Sequence, residues 1–255
     1  MLIERQIDAT RLNAIVNHPD IYPWVRGTIE GPLDLGPAIE EEAAIALLGE
    51  YGGVTFARLQ PGLWEAHTSI LPVGRGEWGL KCVQECLKWL FCRTDAMEVM
   101  TRCPHGNLPA KALARAIHGT FEFTNPHGWV MDGKAVPADI FALRVQDWIR
   151  VAPGLEERGA EFHAKLHAEF DRVGIVDNHP DDATHDRHVG AAYDMFLGGQ
   201  PHKAAVLYNR FSAMSGYSPI RVVSTEPFLS VNIQSALLVL KVDDFFVVSA
   251  GNKAV

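Results

Sequence analysis

The chain has 255 residues, of which 47% are hydrophobic and 21% are charged, so it can build one large domain or two small ones. Its formal charge of −8 argues against general binding to nucleic-acid backbones, which attract basic proteins. No stretch approaches the roughly 20 consecutive apolar residues of a membrane-spanning helix, and the N-terminus lacks the form of a signal peptide. We therefore expect neither a membrane nor general nucleic-acid binding.

The first 150 residues carry alternating strand and helix patterns. A helix is expected after Asp8, and it ends at Asn17-His18-Pro19 before a long proline-containing loop that is apolar enough to pack. The turns Tyr51-Gly52-Gly53 and Pro61-Gly62 separate three strands, which predicts an antiparallel meander. The expected elements are strands 44–49, 54–60 and 63–71, helix 78–92, strand 97–102, helix 108–118, strand 120–124, an Asp132-Gly133 turn and strand 138–145.

The segment Val151-Ala152-Pro153-Gly154 is the predicted boundary between a domain at residues 1–150 and a smaller one at residues 151–255. An apolar stripe with helical spacing follows over 155–173. The remaining expected elements are helices 181–197 and 202–214 and strands 220–224, 236–242 and 245–249, the last two joined at Asp243-Asp244. The predicted class is α+β: a mixed central sheet with flanking helices, then helices and a small antiparallel sheet.

The four cysteines show no zinc-ligand spacing with histidine partners. We interpret Cys82, Cys86, Cys92 and Cys103 as reduced thiols of a cytosolic protein.

A strand, a glycine-bearing turn and an amphipathic helix succeed one another over residues 63–92. This layout directs backbone N–H groups toward a phosphate, because the first N–H groups of a helix have no partner within it. Together with strand 97–102 and a helix opening near Asn107, the order resembles the acyl-CoA-binding half of the GNAT superfamily, the GCN5-related N-acetyltransferases. More narrowly, residues 1 to about 150 resemble the GNAT-like proteins of tailed bacteriophages. The segments behind this resemblance are Asn17-His18-Pro19, residues 31–35, residues 65–68, Leu71-Pro72 with Arg75-Gly76, Asn107 with Ala110, and residues 139–143 with Trp148.

The resemblance implies a pyrophosphate loop at the start of the long helix. Its cofactor-binding candidates are Gly74, Arg75, Gly76, Gly79 and, from the next helix start, Asn107. The alternatives are a turn without a ligand for the glycines and an ordinary helix N-cap for the asparagine.

Two positions depart from the family's pattern. Trp78 stands where the family has glycine or alanine, so we expect an indole where the cofactor would lie. Ala114 stands where the family often has the tyrosine that protonates the departing thiolate.

The candidates for catalysis lie on the strand before the loop. Alternation places Glu65, His67 and Ser69 on one face. His67 has an intrinsic pKa suited to a general base, and Glu65 can act through water. The alternative is that both lie on the solvated or partner-facing side of a half-buried strand.

A second histidine-rich stretch offers a metal hypothesis. The residues His179-Pro180-Asp181-Asp182 are similar to a motif of zinc-dependent sugar deacetylases, but Ala183 replaces the expected glutamate. His185, Asp186 and His188, or the pair His163 and His167, are further candidate ligands. We favour a helix start capped by Asn178 or Asp181 and expect no metal.

Two hypotheses about function remain open. The first is a non-catalytic structural or assembly component of a phage particle in the head–tail or tail region, with an eroded acyl-CoA loop and no cofactor. Such a protein would reside in the host cytoplasm and then in the virion, with other phage structural proteins or copies of itself as partners. The alternative is an acetyl-CoA-dependent N-acyltransferase acting on an amine, with Glu65 or His67 handling the proton.

Overall fold

The computed structural model describes residues 2–40, 44–172, 182–215, 220–222, 237–242 and 245–250. The chain divides into two compact units, residues 1–91 with 95–148 and residues 92–94 with 149–255, and each is described by itself. Asn178, His179, Asp181, the side chain of His167 and the Asp243-Asp244 turn lie outside the described residues.

The first unit contains a seven-stranded sheet in the order β1-β2-β3-β4-β5-β7-β6. Every neighbouring pair is antiparallel except β4 and β5, which run parallel. The strands are β1 (Glu4–Arg5), β2 (Ala44–Gly49), β3 (Gly52–Gln60), β4 (Leu63–Ile70), β5 (Glu98–Pro104), β6 (Thr120–Met131) and β7 (Lys134–Arg144). The mixed sheet confirms the fold class predicted for this half of the chain.

The turns of this sheet follow from local chemistry. Gly62 between β3 and β4 has a φ of +79°, which side chains other than glycine rarely adopt. Asp132 and Gly133, between β6 and β7, both have positive φ, as a two-residue hairpin turn requires. Strand β6 extends to Met131, well past the predicted end at 124, because an edge strand tolerates Pro126.

Helices cover the sheet, and the buried residues of the long helix have the predicted apolar spacing. They are α1 (Thr10–Val16), α2 (Tyr22–Val25), α3 (Gly36–Glu40), α4 (Glu77–Arg93) and α5 (Leu108–Ala116). Helix α4 buries residues three and four apart, namely Cys82, Val83, Cys86, Leu87 and Leu90. The cysteines are buried as thiols. The short helices α2 and α3 form within the proline loop, which packs with α1 in one apolar cluster.

Strands β4 and β5 separate part of the way along the sheet. They pair over three residues only, from Leu63 opposite Glu98 to Glu65 opposite Met100. The Thr101 hydroxyl then donates to the Ala66 carbonyl at 2.9 Å, and no later pair joins the two strands in this part of the described sheet. Strand β4 continues against β3 to Ile70. The sheet therefore opens into a gap with β4 on one side.

The described residues of the second unit form three long helices and a small sheet. The end of α6 (Val145–Val151) leads into α7 (Leu155–Arg172), α8 (Ala183–Leu197) and α9 (Pro201–Ser215). Asp182 caps α8 by accepting from the Thr184 N–H at 2.8 Å. The strands β8 (Ile220–Val222), β9 (Leu237–Val242) and β10 (Phe245–Ala250) pair antiparallel in the order β8-β10-β9. This unit is thus α+β as predicted.

Within the described part of the chain, no helix combines the length and the apolar character needed to cross a bilayer.

Candidate functional site

A cleft of about 670 Å³ occupies the gap beside β4. One wall is the end of β4 with the loop that follows it, and the other is the start of α5. The loop before α2 and α2 itself contribute apolar side chains, including Ile21 and Trp24. A cleft of this size with few polar groups has the dimensions of a cofactor or small-molecule site.

Backbone groups of β4 face this cleft. The Ala66 carbonyl points toward β5, because it accepts from the Thr101 hydroxyl. Backbone direction alternates along a strand, so the N–H and C=O groups of Thr68 and Ile70 point the same way. Both residues line the cleft and lie beyond the last β4–β5 pair. They can form hydrogen bonds with an extended ligand that carries amide groups.

The loop after β4 and the first turn of α4 bring three of their four predicted cofactor residues to the cleft. Arg75, Gly76 and Gly79 line it. Gly76 has a φ of +90°, and a Cβ there would meet nothing within 4 Å, so its backbone is open to a ligand. Gly74 lies elsewhere: it is buried, and a Cβ at that position would come 2.5 Å from the Cβ of Tyr51.

The first turn of α4 presents N–H groups beside Gly76. Leu80 makes the first intrahelical bond of this turn, donating to the Gly76 carbonyl at 3.0 Å. The N–H groups of Glu77, Trp78 and Gly79 precede that bond, and such groups together with the helix dipole favour an anion. The exposed Glu77 carboxylate forms an ion pair with Lys81 at 2.8 Å.

The expectation that the Trp78 indole fills the cofactor position is wrong. The indole stacks on Tyr51, with ring centroids 5.1 Å apart, and it packs against Gly49 and Gly74. It is absent from the lining of the cleft, whereas Gly76 and Gly79 on either side of it are present. The side chain points away from the gap because Trp78 and the buried Cys82 lie four residues apart, on one face of α4.

Glu65 is held by Arg102 instead of being available as a base. Its side chain is 5% exposed, and its two oxygens accept from Arg102 Nε at 2.5 Å and Nη2 at 2.9 Å. Such a bidentate pair fixes both groups. Both Glu65 oxygens are thus engaged by Arg102, and the catalytic role of Glu65 stays a prediction.

His67 lies beside this ion pair, with Nε2 3.5 Å from Glu65 Oε1. Desolvation of the imidazole lowers the pKa of His67, and the positive charge of Arg102 lowers it further, against the opposing effect of Glu65. The imidazole is therefore neutral at pH 7 and able to accept a proton.

Asn107 caps α5 and also lines the cleft. Its Oδ1 accepts from the Ala110 N–H at 3.1 Å, which is the N-cap arrangement. Ala114, one helical turn after Ala110, is buried against Cys103 and Phe141. The position at which the resemblance implies a tyrosine thus belongs to the core.

Lys111 connects α5 to the sheet through Asp139, a contact that the sequence analysis missed. The ammonium lies 2.6 Å from Asp139 Oδ2, and Thr124 and His105 contact Oδ1 at 2.7 and 3.2 Å. These hydrogen bonds, that of Lys111 first, lower the pKa of Asp139 from 3.8 to about 2. An acidic residue inside a predicted strand, Asp139 in strand 138–145, was the signal that could have found it.

In the second unit, the side-chain atoms of His163, His185 and Asp186 that could ligate a metal lie within 4.8 Å of one another. His163 Nδ1 is 2.6 Å from Asp186 Oδ1, and His185 Nε2 is 2.8 Å from the Tyr208 hydroxyl. The two imidazoles stack 9° from parallel, so their in-plane lone pairs do not converge on one point. His188 stacks on Phe211 and donates to the Thr184 carbonyl. The His163–Asp186 contact joins α7 to α8, and the His185–Tyr208 contact joins α8 to α9.

Solved structures similar to this chain are acetyltransferases. The ribosomal-protein-alanine N-acetyltransferase of Brucella melitensis is 16% identical and matches with a TM-score of 0.48, covering 57% of this chain and 100% of that one. The spermidine N-acetyltransferase of Vibrio cholerae, solved with CoA and spermine, is 12% identical, with a TM-score of 0.48 and coverage of 58% and 98%. The ribosomal-protein-S5-alanine acetyltransferase of Vibrio fischeri is 12% identical, with a TM-score of 0.44 and coverage of 57% and 93%. At these identities and scores the likeness concerns the fold and carries no argument about activity.

No protein-family model and no curated protein sequence matches this chain.

Proposed function

We propose that this chain is an acyl-CoA-dependent N-acyltransferase, with acetyl-CoA as the simplest donor. One observation carries the proposal: a cleft runs along the unpaired edge of β4, from the loop at Gly76 toward His67, and Trp78 does not obstruct it. The virion-component hypothesis depended on that obstruction. It stays a prediction that no described contact tests.

The residues around the cleft fit the parts of acyl-CoA in order. The N–H groups at the start of α4 and the Arg75 side chain suit the pyrophosphate. The backbone groups of Thr68 and Ile70 suit the amides of the pantetheine arm, and the apolar wall that includes Trp24 suits its carbon chain.

His67 is assigned as the general base. Acyl-CoA supplies a thioester carbonyl that an amine can attack. The neutral imidazole accepts a proton from the amine nitrogen as the C–N bond forms and the C–S bond breaks, and the imidazolium then returns a proton to the sulfur. This return removes the need for a tyrosine at position 114.

Calorimetry with a matched pair of glycine variants tests the proposal. Acetyl-CoA should bind the full-length protein with micromolar affinity. In Gly76→Ala the new methyl group enters the open cleft, and affinity should fall about tenfold or more, or ~1.4 kcal/mol. Gly154 also has positive φ and open space around its Cβ position, so Gly154→Ala carries a similar backbone strain away from the cleft. It should leave affinity unchanged.

The result that would contradict the proposal is the absence of acetyl-CoA binding. No heat from acetyl-CoA with the unmodified protein would overturn the proposal. Stoichiometric recovery of the chain from purified phage particles, together with the absence of acetyl-CoA binding, would favour the virion-component hypothesis.

A further inference from the structure

A smaller chamber of about 100 Å³ adjoins the cleft on the side of His67. His67, Arg102 and Trp129 line the inner space alone, whereas the two spaces share Trp24, Val25, Thr68, Asn107, Ala110 and Leu113. An amine must occupy the inner chamber to transfer its proton to His67.

Trp129 forms a roof over this chamber. Its Nε1 donates to the Trp24 carbonyl at 2.9 Å, which joins the β6–β7 hairpin to α2 across more than 100 residues of sequence. The ring lies 6.2 Å from the His67 ring and 5.5 Å from the Arg102 guanidinium. An ion pair between Arg26 and Asp132 joins the same two segments. These two contacts are here called the clasp.

The chamber offers no counter-charge to a cation. Among the described residues that line it, none is acidic. The nearby Glu65 is neutralised by its bidentate contact with Arg102, and the rest of the lining is mostly apolar. Each charged group that enters loses hydration without gaining a partner, so a polycation, which carries charges beyond that of the reacting amine, is disfavoured relative to an amine with one nitrogen.

The volume sets a limit on size. An apolar cavity of about 150 Å³ takes up one benzene molecule, so a chamber of about 100 Å³ accepts a short alkyl group. The clasp joins the β6–β7 hairpin to the end of α2 beside this chamber, so a peptide backbone would have to pass it.

We infer that the acceptor is a small, apolar primary amine, and that the Trp24–Trp129 and Arg26–Asp132 clasp excludes polyamines and peptides. The inference rests on the proposed acyltransferase activity. Trp129 contacts the acceptor directly, and Arg26 and Asp132 act as positioning residues for the clasp.

Three acceptors separate the possibilities in a thiol-release assay with acetyl-CoA. The probes are n-butylamine, spermine and a short peptide with one lysine. The butyl and lysyl amines have similar basicity, so a difference between them reports access to the chamber. We expect kcat/KM for n-butylamine to exceed the values for both other amines about tenfold or more.

Opening the clasp should change this ranking. Asp132→Asn keeps a residue type that tolerates the positive φ at this position and removes the ion pair with Arg26. Combined with Trp129→Phe, it should raise kcat/KM for the peptide about tenfold and lower it for n-butylamine. The control Arg144→Gln breaks an ion pair with Glu122 and lines neither space, so the ranking should persist.

The results distinguish this inference about the acceptor from the proposed acyltransferase activity on which it rests. Equal turnover of peptide and n-butylamine by the unmodified protein, with normal acetyl-CoA binding, overturns the inference alone. Failure to bind acetyl-CoA overturns both. Calorimetric titration of n-butylamine into the CoA-loaded protein adds a readout without turnover, and spermine binding more tightly there would also contradict the inference.

Discussion

Asp139→Asn offers a quantitative test of how α5, one wall of the cleft, is held to the sheet. Hydrogen bonds from Lys111, Thr124 and His105 lower the pKa of Asp139 from 3.8 to about 2. Because a tenfold change in an ionisation constant is worth 1.36 kcal/mol, the carboxylate contributes about 2.4 kcal/mol to the free energy of unfolding at pH 7. The side chain is 12% exposed, so solvent screening makes about 2 kcal/mol the better expectation.

The pH dependence follows from the direction of this change. A carboxyl whose pKa is lowered by folding stabilises the protein above its unfolded pKa and loses that contribution as pH falls through the folded pKa. The contribution should shrink to about 1.3 kcal/mol at pH 3 and about 0.4 kcal/mol at pH 2.

Urea unfolding of the Asp139→Asn variant beside the unmodified protein at pH 7 and pH 3 measures this difference. We expect a loss of about 2 kcal/mol at pH 7 that narrows at pH 3, together with weaker acetyl-CoA binding because Lys111 no longer holds α5. A loss of equal size at both pH values would refute the electrostatic reasoning and would indicate a change in packing.

Two further predictions concern the cleft. Arg102→Gln removes a charge that lowers the pKa of His67, so the acidic limb of the kcat/KM profile should move to higher pH. Glu65→Gln removes the opposing charge, so the acidic limb should move to lower pH. The free energy of unfolding of this variant should fall by about 2–3 kcal/mol, because Arg102 is left half-buried without its partner. Acidic limbs at the same pH in both variants would contradict the assignment of His67 as the general base. Trp78→Ala should lower stability by about 2–3 kcal/mol without strengthening acetyl-CoA binding, and a gain in affinity by calorimetry would restore the view that the indole blocks the site.

The sequence predicts the elements well where periodicity is strong. The spacing of apolar residues identifies α4, and alternation identifies β3 and β4 with their glycine turns. It fails at β6, where Asn125-Pro126 indicates a break but an irregular edge strand continues to Met131. The two-residue β1 and the short helices of the proline loop are fixed by tertiary packing, and propensity alone gives no signal for them.

The site illustrates a different limit. Aligning Trp78 with a small residue of the GNAT loop pattern identifies a position in the sequence but not the direction of the side chain. The four-residue spacing from Trp78 to Cys82 is a local signal that the indole faces the core. The contact of Arg102 with Glu65 is beyond local reasoning, because it depends on the parallel pairing of two strands separated by a helix.

The short parallel ladder between β4 and β5 has a mechanical consequence. Three residue pairs, the Thr101 hydroxyl and the Arg102–Glu65 ion pair join β4 to β5 beside the split. Bending one half of the sheet against the other therefore disrupts few backbone hydrogen bonds, each worth about 1 kcal/mol. A molecule that bonds to the β4 edge and also rests on α5 would act as an added strand between them, and it would slow amide exchange on both sides of the split at once.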